Sequence, residues 1–280
     1  MSIWITPEEL RGESDVVLID ARMEGLGAYF AGHLESAVFA DLERDLSQPE
    51  ADVRLGGRHP LPPIEVFAAT VGSWGIDRGA SVVVYDAETG ALAAARCWWM
   101  LKALGHADVR VLSGGLKAAV HAGFSLCEGD AAGNRHSPKP PYPARTWLLP
   151  TRSFEEITEH GERYTLLDVR SRKRFEGTQE HLDPPGGHIP FAVNLPYQNL
   201  IDDTGRMLPA VELRRIFEAL PSGPSGSHAG DNTVFSCGSG VTACYALLAL
   251  CEAFGSESPT AALYVGSYSE WSRRMHPDGA

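Results

Sequence analysis

The chain repeats itself. Val16-Val17-Leu18-Ile19-Asp20 runs into Ala21-Arg22, and Thr165-Leu166-Leu167-Asp168 runs into Val169-Arg170. Gly32-His33-Leu34 with Ala37-Val38 is answered by Gly187-His188-Ile189-Pro190 with Ala192-Val193. Leu61-Pro62 is matched by Leu208-Pro209, the run from Ser81 to Asp86 by the run from Asn232 to Cys237, and Leu112-Ser113-Gly114-Gly115 by Tyr264-Val265-Gly266-Ser267. These landmarks keep their order at an offset of about 150 residues, which is the mark of a duplication. Each half must then build the same body. The starts agree as well: Thr6-Pro7-Glu8-Glu9 and Ser153-Phe154-Glu155-Glu156 both read as capping boxes, with a hydroxyl at the cap and Glu three residues on.

Within each half, short apolar runs alternate with helical stretches. Residues 91–104 and 241–254 carry apolar side chains nearly all round, as a helix packed on a sheet does. Such alternation predicts an α/β fold: two tandem domains, each a mostly parallel sheet with helices on both faces. The spacing places the domains at 1–129 and 151–280. Between them, 130–150 holds Pro138, Pro140, Pro141, Pro143 and Pro150 and reads as a stiff, extended linker. Residues 222–231, rich in Gly, Ser and Pro, read as a flexible loop.

Composition removes several classes of function. Asp and Glu number 36 against 24 Lys and Arg, a net charge of −12, which argues against nucleic acid as a partner. No apolar run approaches the roughly 20 residues that span a bilayer. The first residues are neither basic nor apolar, so no signal peptide is expected and the cytoplasm is the expected compartment. Five Cys without a C-x-x-C predict neither a disulfide framework nor a zinc site, and no metal or cofactor is expected.

Ligands of open parallel sheets sit beyond the C-terminal ends of the strands. The informative strand end is Val234-Phe235-Ser236, followed by Cys237-Gly238-Ser239-Gly240-Val241-Thr242 and a helix from Ala243. A helix N-terminus favours an anion, and the thiolate is the nucleophilic form of a cysteine. Gly238 and Gly240 let several backbone N–H groups converge, so residues 238–242 form a cradle for a negatively charged sulfur. Cys97, Cys127, Cys244 and Cys251 read as packing residues.

The six residues from Cys237 to Thr242 resemble the active loop of the 3-mercaptopyruvate sulfurtransferases, within the rhodanese superfamily. Gly187-His188-Ile189-Pro190, Tyr264-Val265-Gly266-Ser267, Glu270-Trp271, Trp98-Trp99-Met100 and Gly105-His106 extend the resemblance over essentially the whole chain. It implies two rhodanese domains, the first catalytically silent; Asp86 stands where Cys237 stands, and a carboxylate cannot carry a sulfur atom. It also implies a ping-pong transfer in which Cys237 becomes a persulfide and passes sulfur to thioredoxin, glutathione, another protein thiol or cyanide. The loop holds no Lys or Arg, which favours 3-mercaptopyruvate over thiosulfate as donor. The substrate-binding arginine of these enzymes falls on Arg174. Arg170 is a second candidate, with pairing to Asp168 as its alternative role. A further arginine usual beyond Arg174 is missing from the stretch 179–185, where His181 and Arg170 are the candidates to replace it. The resemblance also suggests a relay from Ser239 to His59 and an acid, Glu43 or Asp41. His33 and His188 recur in both halves and read as structural turn residues.

Two other readings conflict with the sequence. Phosphatases of a related fold need Cys-(x)5-Arg, and here that position is Ala243. A non-catalytic binding module would lack Cys237. The closest competitor is thiosulfate:cyanide sulfurtransferase activity.

Overall fold

Two sheets with the same strand order carry the duplication. The computed structural model describes residues 2–129, 136–221, 232–256 and 259–277; the loop expected at 222–231 and the start of the linker lie outside these. The strands are β1 (Trp4–Ile5), β2 (Val16–Asp20), β3 (His33–Leu34), β4 (Val38–Phe39), β5 (Ser81–Tyr85), β6 (Val109–Leu112), β7 (Leu126–Cys127), β8 (Thr151–Arg152), β9 (Thr165–Asp168), β10 (Val193–Asn194), β11 (Thr233–Ser236) and β12 (Ala262–Tyr264). One sheet runs β1-β6-β5-β2-β4 and the other β8-β12-β11-β9-β10, all parallel. Taken in chain order within each half, the two arrangements are identical. Strands β3 and β7 form a separate antiparallel pair.

Parallel sheets are covered on both faces, so their central strands are apolar throughout. Val82, Val83, Val84 and Tyr85 of β5 are fully buried, as are Val234 and Phe235 of β11. The helix Ala93–Ala103 is buried along its whole length, and so is nearly all of Ala243–Phe254. At roughly 1.5–3 kcal/mol for each large apolar side chain removed from water, these layers dominate the stability of each body. No helix among the described residues is long and apolar enough to cross a membrane.

Details repeat at the level of atoms. Thr6 with Glu9 and Ser153 with Glu156 both form complete capping boxes. Arg22 pairs with Asp20 and donates to the Gly32 carbonyl at 2.7 Å; Arg170 pairs with Asp168 and donates to the Gly187 carbonyl at 2.8 Å. His33 stacks on Tyr29 at 3.9 Å and His188 on Phe175 at 3.8 Å, each with Nδ1 3.0 Å from that ring residue's carbonyl oxygen.

The chain divides into two units. One holds Met1–Gln48, Pro62–Leu148 and Asp203–Arg206; the other holds Pro49–Leu61, Leu149–Asp202 and Met207–Ala280. The arm 49–61, from the first half of the sequence, thus belongs to the second unit. In the first unit, residues 136–148 lie along the helices Ile64–Ser73 and Ala93–Ala103 without regular structure. Backbone bonds run from Lys139 to Gly72, Tyr142 to Ala68 and Leu148 to Ala103, and Trp147 stacks on Phe67 and Trp99.

Candidate active site

Strand β11 ends at Ser236, and the chain turns through residues 237–242 into the helix Ala243–Phe254. The turn is held from one side by the first residues of the helix Ser267–Met275. The Cys237 N–H donates to Ser267 Oγ at 3.1 Å, the Cys237 carbonyl accepts from the Tyr268 N–H at 3.0 Å, and the Gly238 carbonyl accepts from the Ser269 N–H at 2.9 Å. Gly240 has φ +74°, and a Cβ there would lie 2.3 Å from the Val265 carbonyl oxygen, so only glycine passes. Cys237 is 1% exposed. Among the described residues, the amides of Gly238, Ser239, Val241 and Thr242 meet no protein acceptor.

Ser239 Oγ lies 2.7 Å from His59 Nδ1, both side chains being buried. The arm delivers His59 by docking on the same helix start. Gly56 donates to Glu270 Oε1 at 3.3 Å and Arg58 N–H to Ser269 Oγ at 3.1 Å. A Cβ on Gly57 would lie 2.4 Å from the Gly266 carbonyl oxygen. Burial pushes the Glu270 carboxyl upward, against bonds from Tyr264 and Gly56 that draw it down. Glu43 is exposed in the first unit. Asp41 Oδ1 there accepts from the amides of Glu43 and Arg44, as a turn-capping carboxylate does.

A chain of alternating charges borders the loop. Asp183 accepts from Arg58 Nε at 2.8 Å and Nη2 at 3.2 Å, and from Arg174 Nη2 at 3.1 Å. Glu180 accepts from Arg174 Nε at 2.9 Å and from Arg170 Nη1 at 3.1 Å. Burial alone would push the Glu180 carboxyl upward; Arg174 and the amides of Leu182 and Asp183 hold it below its ordinary value. Arg170 is 1% exposed, its fork spent on Asp168, Glu180 and the Gly187 carbonyl, with the guanidinium 3.9 Å above the Tyr268 ring. Of the two roles open to it from sequence, its contacts are those of the ion pair. Arg174 does border the loop: its Nη2 and Nη1 lie 3.2 and 3.3 Å from the point a Cβ on Gly238 would occupy, and Arg58 Nη2 lies 3.1 Å from it. Arg58, Asp183 and Glu180 were not singled out as site residues from sequence. Arg58 directly precedes His59, which is the one linear signal that could have drawn attention to it. His181 makes no hydrogen bond or ion pair among the described residues.

The first unit builds the corresponding loop differently. Asp86 follows β5 as Cys237 follows β11. Its buried carboxylate accepts from the amides of Gly90 at 2.8 Å and Glu88 at 3.0 Å. Burial pushes this carboxyl up and those amides draw it partly back. Where the second unit leaves amides unpaired, the first fills the turn with its own anion.

Two five-stranded parallel sheets, one with a buried cysteine between its central strand and a helix N-terminus, define a tandem α/β protein with unmet amides at a strand end. The rhodanese-like domain family matches residues 6–122 and 153–274. A Pseudomonas aeruginosa protein named probable 3-mercaptopyruvate sulfurtransferase is 39% identical over 92% of this chain and 90% of its own. Thiosulfate sulfurtransferase of Bos taurus is 34% identical over 89% and 80%. The structure of 3-mercaptopyruvate sulfurtransferase from Leishmania major superposes with a TM-score of 0.84 at 30% identity, covering 99% of this chain and 76% of that one. The chain belongs to the rhodanese family.

Proposed function

We propose that this enzyme moves sulfur from 3-mercaptopyruvate, through a persulfide on Cys237, to a thiol such as thioredoxin or glutathione, or to cyanide. The observation that carries this is the turn at 237–242: a buried thiol beside four unpaired amides, with a Ser–His pair at its edge. The Cys237 thiolate attacks the donor's sulfur. An S–S bond forms, the C–S bond breaks, and its electron pair passes to the donor carbon as the enolate of pyruvate. That carbon needs a proton, and Ser239 backed by His59 supplies it. The amides of 238–242 stabilise the persulfide anion. An acceptor thiolate or cyanide then takes the outer sulfur and releases the Cys237 thiolate, closing a ping-pong cycle.

Arg174 binds the donor carboxylate, and Arg170 positions the loop around Glu180. The first domain is silent because Asp86 occupies its turn. Thiosulfate is the weaker donor. The guanidiniums of Arg58 and Arg174 are balanced by Asp183 and Glu180, so the site carries little net charge for a dianion but suits a single carboxylate. The cytoplasm is the proposed compartment.

Intact mass after incubation with 3-mercaptopyruvate tests the chemistry. The expected gain is one sulfur, about 32 Da, removable by cyanide and absent in Cys237→Ser. An unchanged wild-type mass would refute the proposal.

A further inference from the structure

We propose, resting on that sulfur-transfer reading, that Ser269 and Glu270 are positioning residues: together they clasp the arm 49–61 and fix His59 against Ser239 for proton delivery. All of these residues belong to the second unit. Ser269 is attached to the residue before each member of the Ser239–His59 pair. Its backbone N–H donates to the carbonyl of Gly238, which precedes Ser239, at 2.9 Å. Its Oγ accepts from the N–H of Arg58, which precedes His59, at 3.1 Å. One fully buried residue thus spans the 2.7 Å contact between Ser239 Oγ and His59 Nδ1.

The arm forms no helix or strand, so its place is set by what it touches. The Ser269 hydroxyl spends its proton on the Gly266 carbonyl at 2.9 Å, which leaves its lone pairs for the Arg58 N–H. Glu270 holds the arm two residues earlier, where Oε1 accepts from the Gly56 N–H at 3.3 Å. The same carboxylate is fastened at its other end: Oε2 accepts from the Tyr264 hydroxyl at 2.9 Å, and Arg274 Nη1 lies 3.5 Å from Oε1. Between the two bonds to the arm sits Gly57, with φ +82°, so close that a Cβ there would stand 2.7 Å from Ser269 Oγ. Residues 56–58 therefore have a seat on the helix turn that also holds Cys237 through Ser267 and Tyr268. Removing the Ser269 hydroxyl loosens that seat but leaves the Ser269 N–H on Gly238, so the cysteine turn keeps its support.

The test is steady-state kinetics of wild type, Ser269→Ala, Glu270→Met and Glu270→Gln, with cyanide as acceptor and two donors. Loading from 3-mercaptopyruvate leaves an enolate that must be protonated. Loading from thiosulfate releases sulfite, which departs with the S–S electron pair and needs no proton on carbon. In a ping-pong cycle kcat/KM for the donor reports loading alone, and kcat/KM for cyanide reports discharge alone. Ser269→Ala and Glu270→Met should lower kcat/KM for 3-mercaptopyruvate about ten- to hundredfold and leave the values for thiosulfate and cyanide unmoved. Glu270→Gln keeps an acceptor for Gly56 and should recover most of the loss. Equal losses in all three constants, or none, would overturn the clasp, as would a Glu270→Gln enzyme no better than Glu270→Met. If Glu270→Met does not fold, Ser269→Ala decides alone. If wild type takes no sulfur from 3-mercaptopyruvate, the function proposed above is wrong, and the clasp is judged by trypsin cleavage after Arg54 in the arm. Cleavage should be about three- to tenfold faster in Ser269→Ala than in wild type; equal rates would overturn the clasp.

Discussion

Gly240→Ala separates two costs that the 237–242 turn imposes on its sequence. Gly240 has φ +74° and Gly255, at the end of the following helix, has φ +67°. Alanine at either site takes a left-handed backbone, at about 1–2 kcal/mol. Both substitutions also restrict the unfolded chain alike, so that contribution cancels between them. The surroundings differ. A Cβ on Gly255 meets nothing within 4 Å, whereas one on Gly240 would lie 2.3 Å from the Val265 carbonyl oxygen. That oxygen belongs to backbone and must retreat by ~0.7 Å or the turn must lift, an overpacking cost of about 1–3 kcal/mol. With 2–4 °C of melting temperature per kcal/mol in a body of this size, Gly255→Ala should melt roughly 2–8 °C below wild type. Gly240→Ala should melt a further 2–12 °C lower, again roughly. Calorimetry on both variants, with persulfide formation measured alongside, gives the comparison. Gly255→Ala should keep wild-type sulfur loading and Gly240→Ala should lose most of it, since lifting the turn displaces the amides of Val241 and Thr242. A Gly240→Ala protein as stable and active as Gly255→Ala would refute the close approach of the turn to Val265.

Two further predictions concern the ionic chain. Arg170→Met strands Asp168 as a buried charge and should destabilise the second unit by about 3–5 kcal/mol, far more than Arg174→Met, whose guanidinium is partly exposed; chemical denaturation of the two variants checks this ranking. Glu180 titrates below its ordinary 4.5 in the folded protein, because the bonds from Arg174, Leu182 and Asp183 outweigh burial. Its stabilisation is therefore full above that value and fades as pH falls through the lower, folded one. Glu180→Gln should be less stable than wild type at pH 7, with the gap narrowing on acidification below about pH 4.5. A gap constant with pH in denaturant melts would sink this reading.

The parts of the fold legible in the sequence were those written locally. β2 and β9, the paired capping boxes and the strand–turn–helix at Cys237 each depend on neighbours in the chain, and duplication shows each of them twice. His59 was reached through family resemblance, and its bond to Ser239 is a contact between residues 180 apart in sequence. No local pattern announces that residues 49–61 fold with the second unit, because their attachment is made by Gly56, Gly57 and Arg58 against a helix start more than 200 residues later. Arg58 and Asp183 were missed for the same reason. Each looks like an ordinary surface charge until its partner, 125 residues away, is in view. For Arg170 the sequence left two roles open, and its bonds to Glu180 and the Gly187 carbonyl come from residues that no local pattern ties to it.

The carboxylate of Asp86 has one more consequence. A turn that must present its amides to a transient guest is left with unmet bonds whenever the guest is away, and that deficit weighs on the surrounding body. By growing its anion as a side chain, the first unit satisfies the same turn permanently. Replacing Asp86 with a thiol would not rebuild a second reaction centre: Glu88 lies two residues on, where the second unit has Ser239. The first unit closes its turn with its own side chain, and the second leaves the amides of the matching turn open.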